Sequence, residues 1–167
     1  VALLIALVVP SLPQRQVVVQ DTAQLRSALR NAQPGDTILV APGEYEGGLF
    51  VTNLHGQPDK PIIISAQDPQ KPPVIRGGTN GIQLSRASHV ELRHLVVEGA
   101  RYNGINIDDG GQPESPTRHI VLSHLVVRNI GPTGNCDGIK LSGVYNFRIE
   151  TFPRCRRGES LAPSPCV

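Results

Sequence analysis

Carboxylates, amides and one lysine recur at related positions in the second half of this chain. Asp108 and Asp109 are adjacent and open the glycine-rich stretch Asp108-Asp109-Gly110-Gly111-Gln112. Paired carboxylates in such a loop offer hard oxygen donors that suit calcium, although the spacing is not that of an EF-hand. Asp and Gly also supply turn geometry, so a plain polar turn is the competing reading. Asp137 precedes Gly138 as Asn80 precedes Gly81 and Asn103 precedes Gly104. Asn or Asp before Gly suits a positive-φ turn, and stacked side chains of this type can hydrogen-bond from one repeat to the next. His89, His94, His119 and His124 form two pairs, each 30 positions apart. Four histidines suit a metal, but recurrence inside a repeat argues for turn or strand-edge positions. No Ser/His/Asp or Cys/His set has a context that would build a nucleophile. No zinc-type spacing is present.

The elements that must position these residues follow from an internal repeat. Gly81-Ile82-Gln83-Leu84 returns as Gly104-Ile105-Asn106-Ile107 and as Gly138-Ile139-Lys140-Leu141, 23 and then 34 positions on. His89-Val90-Glu91-Leu92-Arg93-His94-Leu95-Val96-Val97 returns as His119-Ile120-Val121-Leu122-Ser123-His124-Leu125-Val126-Val127. Tyr145-Asn146-Phe147-Arg148-Ile149 starts a third copy. About seven extra residues, Asp109 through Pro116, lengthen the second interval and read as a loop inserted once. Apolar residues alternate with period 2, which favours strands over helices. Ile82/Leu84, Ile105/Ile107 and Ile139/Leu141 point one way, as do Val90/Leu92, Ile120/Leu122 and Phe147/Ile149. Strands this short cannot bury an apolar face alone, but stacked about 4.8 Å apart they form a continuous column. In that register Gln83, Asn106 and Lys140 form one outward ladder, and Ser85, Asp108 and Ser142 form the next. Lys140 then lies diagonal to Asp108, within reach of a long side chain. Arg148 stacks above Val121 and Glu91 on another face.

Upstream, residues 21–32 read as a short helix. Asp21 or Thr22 can cap it, Leu25, Ala28 and Leu29 form one stripe, and Pro34-Gly35 ends it. Thr37-Ile38-Leu39-Val40, Leu49-Phe50-Val51, Ile62-Ile63-Ile64 and Val74-Ile75 then read as the first coil or two. A short amphipathic helix ahead of them would cover the open first coil. The expected fold class is therefore all-β: a right-handed parallel β-helix over residues 17–150, with a short N-terminal capping α-helix. Composition agrees. Gly and Pro make up about a fifth of the 167 residues, which suits a turn-rich globular chain rather than a disordered or collagen-like one. The formal charge of +2, with no basic run, gives no reason to expect a nucleic-acid partner. Walker-type and dinucleotide-binding glycine motifs are absent.

The two ends lie outside the repeat. Residues 1–10 are apolar throughout, but a membrane-spanning helix needs about 20, so no stable span is expected. The length suits the apolar core of a secretory signal peptide, and residues 1–13 read as a truncated segment of that kind. A buried first strand is the alternative. The signal reading places the protein in a secreted, periplasmic or cell-surface location. The sequence has no Met and begins at Val1, so the expectation is either an unusual start codon translated literally or a true start upstream. Alternation stops after Glu150, and residues 151–167 read as a non-repeat tail, disordered or frameshifted. Cys155 and Cys166 fall there and can be bridged in an oxidising compartment, leaving Cys136 odd. An uncapped last coil leaves apolar surface and strand groups unpaired, so self-association is expected.

Several of these segments carry a family resemblance. They are Ala32-Gln33-Pro34-Gly35-Asp36-Thr37-Ile38, Pro42-Gly43-Glu44-Tyr45, Gly56 with Lys60-Pro61-Ile62-Ile63-Ile64-Ser65-Ala66, and Val74-Ile75-Arg76-Gly77. In this order they resemble the N-terminal part of pectate-lyase-like parallel β-helix proteins, nearest to the chondroitinase-B-like and alginate-lyase-like branch. The resemblance covers residues 17–150 and rests on cap and turn residues, so it speaks for the fold more than the activity. It implies an acidic, uronate-containing polysaccharide as partner and β-elimination as the reaction. It further implies calcium at the uronate carboxylate and a Lys or Arg base. β-Elimination needs a cation at the carboxylate and a base tuned to the working pH. Under that implication Lys140 is a base or substrate contact, and Asp108 an orienting group or calcium ligand. Asp109 and Asp137 are further calcium candidates, and Gln83, Asn106 and Arg148 are substrate contacts. An ordinary exposed Lys140–Asp108 ion pair is the plainer account. Catalytic residues of the branch usually lie on later coils, so the chain is expected to lack part of its chemistry. A non-catalytic glycan-binding or cell-surface module is the alternative. Hydrolysis would need paired acids at a defined separation, which Asp108 with Asp109 does not supply.

Overall fold

The computed structural model describes residues 14–131 and 136–150. The signal-like segment, the 151–167 tail and its two cysteines lie outside the described residues. The chain enters through β1 (Gln16–Val19) and α1 (Thr22–Arg30). The first coil comprises β2 (Thr37–Val40), β3 (Glu44–Glu46) and β4 (Leu49–Thr52). The second comprises β5 (Ile62–Ala66), β6 (Val74–Arg76) and β7 (Asn80–Ser85). The third comprises β8 (Ser88–Arg93), β9 (Val96–Glu98) and β10 (Asn103–Asp108). The fourth comprises β11 (Thr117–Ser123), β12 (Val126–Arg128) and β13 (Ile139–Ser142), and β14 (Val144–Glu150) opens another turn. Equivalent strands stack in parallel into three sheets. Sheet A runs β1-β2-β5-β8-β11-β14, sheet B runs β3-β6-β9-β12, and sheet C runs β4-β7-β10-β13. This is the parallel β-helix expected from the repeat, right-handed as strand–crossover–strand connections are.

The core is a set of aliphatic ladders, one residue per coil. Leu49–Ile82–Ile105–Ile139 and Val51–Leu84–Ile107–Leu141 line the inside of sheet C. Ile38–Ile64–Leu92–Leu122 and Ile62–Val90–Ile120 line sheet A, and Tyr45–Ile75–Val97–Val127 line sheet B. Each fully buried aliphatic side chain contributes about 1.5–3 kcal/mol, so the columns dominate stability. Phe147 and Ile149 continue the sheet A ladders into β14. They are 50% and 39% exposed, because no described residue stacks on β14.

The first coil is closed by α1, one residue shorter at its start and two at its end than the 21–32 reading. Asp21 is the N-cap, and its side chain accepts a hydrogen bond from the Gln24 amide, a contact of about 1 kcal/mol. Leu25 and Leu29 are buried against the column, as the expected stripe requires. The buried Tyr45 hydroxyl donates to the carbonyls of Val19 and Ala41 and ties the entry segment to the first coil. Asp36 is buried, takes both Nε and Nη2 of Arg15, and accepts the Gln33 amide. The Arg15 hydrogen bond holds its carboxyl below the usual range.

Two expectations about turns are corrected. Asn80, Asn103 and Asp137 are not at positive φ, nor are Gly81, Gly104 and Gly138. Gly81 and Gly104 are needed for space instead, whereas Gly138 is not. A Cβ on Gly104 would collide with Val127 Cγ1 and stand 2.6 Å from the Gly138 carbonyl oxygen. The expected coil-to-coil contacts do form: Asn103 Nδ2 donates to Asn80 Oδ1, and the Asp137 amide donates to Asn103 Oδ1. The second correction concerns the insertion at 109–116. The corner from sheet C to sheet A is two residues long after β7 and a single Gly143 after β13. It is long after β10, as expected, but residues 53–61 form a second long loop at the same corner of the first coil. No Gly-Ile signature marks it in the sequence, because Gly48-Leu49 leads into β4 instead.

The histidines occupy left-handed corner positions, with φ of 52°, 54°, 55° and 52° at His89, His94, His119 and His124. His89 stacks on His119 and His94 on His124, with ring centroids 4.3 and 4.5 Å apart. Burial first, then the stacked partner, then Arg118 or Arg93, lowers the pKa of His89 and His94. A lowered histidine pKa favours the neutral ring in the fold. That stability is complete above the unfolded value of about 6.5 and is lost as pH falls through the lower folded value. Asn146 takes the next left-handed position, at φ 53°, so Asn fits this backbone. His89→Asn should therefore flatten the fall in Tm between about pH 7.5 and about pH 5; an unchanged slope in thermal melts would contradict the assignment. Gly104→Ala should cost about 1–3 kcal/mol through overpacking. Gly138→Ala, whose Cβ would meet only Val127 Cγ1 at 3.7 Å, should be close to neutral in the same melts.

Candidate functional site

Alternation along sheet C turns one polar ladder to the outside while Leu49/Val51 and their equivalents face in. Phe50–Gln83–Asn106–Lys140 stack in register, and Thr52–Ser85–Asp108–Ser142 stack beside them. Phe50 is 63% exposed and presents an aromatic face at the first rung. It was not singled out from the sequence, although its place between inward Leu49 and Val51 marks it as outward. An exposed aromatic followed by two amides and an amine is a surface on which polar rings can stack and hydrogen-bond.

Asp108 organises the middle of this face. Its Oδ2 accepts from Gln83 Nε2 at 2.8 Å and from Asn106 Nδ2 at 2.9 Å. Its Oδ1 accepts from the Ser85 hydroxyl and from the Gly110 amide at 2.9 Å. Asn80 Nδ2 donates in turn to Gln83 Oε1. The Asp108 carbonyl accepts from Thr117 Oγ1, which itself accepts from the Ala87 amide. Neutral donors thus surround the carboxylate. Among the described residues Lys140 forms no ion pair within 4.0 Å, with Asp108 or any other acid. The amides of Gln83 and Asn106 hold the oxygen that the diagonal lysine would need.

The remaining sequence candidates are not gathered here. Asp109 Oδ1 accepts from the Gly111 amide, and its Oδ2 lies against Gly143 of the next coil. Asp137 stacks on Asn103 at the other end of sheet C, five rungs of strand from Ser142 or about 16 Å. Arg148 lies on sheet A and pairs with Glu150 at 2.8 Å. It lines a separate shallow cavity of about 250 Å³ with His89, His119 and Asn146. Among the described residues no three His, Cys, Asp or Glu side chains gather where a metal would bind. The expected calcium donors therefore do not fit a shared ion. Asp108 spends its oxygens on four donors, and Asp109 and Asp137 face elsewhere.

The two long corner loops flank sheet C where Ser85 and Asp108 end. Between them lies a cavity of about 430 Å³, lined among others by Asn53, His55, Arg86, Gln112, Glu114 and Arg118. Both loops are fixed to the coils. The Gly56 amide donates to the Ser88 carbonyl, the Ser88 amide to the Leu54 carbonyl, and His55 Nδ1 pairs with Ser88 Oγ. The 109–116 loop hangs on Asp108 through the Gly110 amide.

With this geometry in place, similarity to known proteins can be assigned. The structure is similar to that of an alginate lyase from Paenibacillus sp. str. FPU-7, with a TM-score of 0.59 and 21% identity, over 82% of this chain and 58% of that one. A PL6 family alginate lyase, AlyGC, matches at a TM-score of 0.45 and 20% identity, over 81% of this chain and 26% of its own. The chain thus spans little over half of the first lyase and about a quarter of the second. No curated protein sequence matches it. The Chondroitinase B family model matches residues 19–112. That stretch runs from the end of β1 through the first three coils into the 109–116 loop. It is more than half of the sequence, and so the chain belongs to the chondroitinase B family.

Proposed function

We propose that this chain is an exported protein of the polysaccharide-lyase type that acts on uronate-containing glycans by β-elimination. The outward face of sheet C is the surface that meets the glycan. Membership of the chondroitinase B family carries the reading, because it joins a lyase-type fold to the Phe50–Gln83–Asn106–Lys140 ladder. Export is supported by the apolar run at residues 1–10.

β-Elimination removes the proton from C5 of the uronate and forms the C4–C5 double bond. The C4–oxygen bond breaks, and the leaving oxygen takes up a proton. On this face Gln83 and Asn106 can position sugar hydroxyls, Phe50 can stack on a ring, and Lys140 is the one cationic rung. A neutral Lys140 can accept the C5 proton; a protonated Lys140 can hold the carboxylate. It cannot do both at once, and the two roles predict different variants. No step is assigned to calcium, since Asp108, Asp109 and Asp137 do not converge.

A second reading, a non-catalytic glycan-binding module, has one observation in its favour. Asp108 is engaged by neutral donors, and among the described residues Lys140 has no acid within 4.0 Å to orient it. The experiment is to incubate the native chain with a panel of acidic polysaccharides and follow the ultraviolet-absorbing unsaturated product. Product is expected, and Lys140→Ala should lower kcat by roughly a hundredfold or more if the amine is the base. Lys140→Arg would then stay slow, whereas a carboxylate-holding role would let Arg restore KM and rate. Retained glycan binding without product from any substrate would replace the lyase reading with the binding one.

A further inference from the structure

The cavity between the two corner loops is lined by two guanidinium groups, those of Arg86 and Arg118, together with Glu114. Among the described residues neither arginine has a carboxylate within 4.0 Å. We infer that this cavity is a subsite for a uronate carboxylate, held by Arg86 and Arg118. The inference rests on the reading of the chain as a binder of acidic glycan, and it names where a carboxylate away from Lys140 is recognised.

The backbone at Arg86 is the strongest support. Arg86 turns the corner after β7 at φ 53°, and the equivalent corners after β4 and β13 use Asn53 at φ 59° and Gly143 at φ 64°. Asn and Gly tolerate this left-handed region; a long unbranched cation is disfavoured there. Strained residues persist where surrounding structure over-determines them, and such strain clusters at ligand sites. The side chain is also held. Its Nη2 donates to Thr52 Oγ1 at 3.0 Å, and its stem packs where a Cβ on Gly110 would stand 3.3 Å from Arg86 Cγ. Its Nε is buried without a hydrogen-bond partner among the described residues, so the guanidinium meets the cavity through its Nη groups. Arg118 is exposed on β11, and its side chain is free to approach a ligand. Guanidinium pairs with carboxylate in matched, charge-assisted geometry, and a prepositioned one loses little freedom on binding. The volume lies in the range of small-ligand sites. The cavity adjoins the end of the Thr52–Ser85–Asp108–Ser142 ladder, so a glycan crossing sheet C reaches it.

Calorimetric titration of the full chain with a uronate oligosaccharide and with its methyl ester tests this. The native chain should bind the acid more tightly than the ester. Arg86→Asn, which suits the left-handed backbone, and Arg118→Ala, which removes an exposed side chain, should each weaken acid binding roughly tenfold. Neither should change ester binding. Equal affinity for acid and ester, or variants that bind the acid as the native chain does, would overturn the subsite while leaving glycan binding intact. A native chain that binds neither sugar would instead overturn the underlying glycan reading, and the subsite with it. Thermal melts of Arg118→Ala should match the native chain, separating lost recognition from lost fold.

Discussion

The hydrogen-bonded register between successive coils is the constraint on which everything else depends. A strand in one coil must sit about one strand spacing from its equivalents above and below, so a residue's place on a coil is inherited by the next. That rule aligns Leu84, Ile107 and Leu141 inside and Gln83, Asn106 and Lys140 outside. It also forbids side chains where backbones approach most closely. Gly81 and Gly104 meet that demand, since a Cβ on either would collide with the valine of sheet B facing it, Val97 or Val127. The Gly-Ile signature visible in the sequence is therefore a packing requirement that marks a rung, and the polar residue two positions later acquires its outward direction from it.

This explains what was legible. The inward and outward ladders of sheets A and C could be read because period-2 alternation and the 23-residue interval both survive in the sequence. The corners were harder. Asn before Gly looks like a turn, yet Asn80 and Asn103 lie in extended strands and spend their side chains on coil-to-coil hydrogen bonds. The left-handed positions fall instead on Asn53, Arg86, the histidines, Asn129 and Asn146, and only some of these are residue types that announce such a backbone. The candidate site was half visible. Gln83, Asn106 and Asp108 come together as expected, but Phe50 and the 53–61 loop belong to the first coil, where no Gly-Ile rung marks the register. The separation of Asp108 from Asp109 also lay beyond sequence. Adjacent residues at a strand end diverge, and here one carboxylate turns to the coil below and the other to the coil above.

Asp108 shows how a charge can serve architecture on a face that looks chemical. Hydrogen bonds to an ionised group are the stronger ones, about 1.5–3 kcal/mol each, and Asp108 accepts four from three different parts of the fold. It ties the second coil, the third coil and the start of the 109–116 loop into one unit. A carboxylate so engaged would have to break those bonds to hold a cation. Its role is positional: it fixes the amides of Gln83 and Asn106 and, through the Gly110 amide, one wall of the corner cavity.

The distribution of charge differs between the faces of the solenoid. On sheet B the charges neutralise one another. Glu98, with a side chain 5% exposed, takes Arg76 at 2.5 Å and Arg128 at 2.6 Å, and Arg76 also pairs with Glu44. That ladder crosses four coils with its demands met inside the protein. Sheet C and its corner are arranged the opposite way. The carboxylate that could have neutralised Lys140 is occupied by amides and a hydroxyl, and among the described residues neither Arg86 nor Arg118 has a carboxylate within 4.0 Å. Burial of unbalanced cations is unfavourable for folding, so the chain keeps them at a surface where an outside anion can complete them. The same register that makes sheet B self-sufficient places Lys140 on the outer ladder of sheet C, and Arg86 and Arg118 at its corner, in line with the path that the proposed function gives a polyanionic glycan.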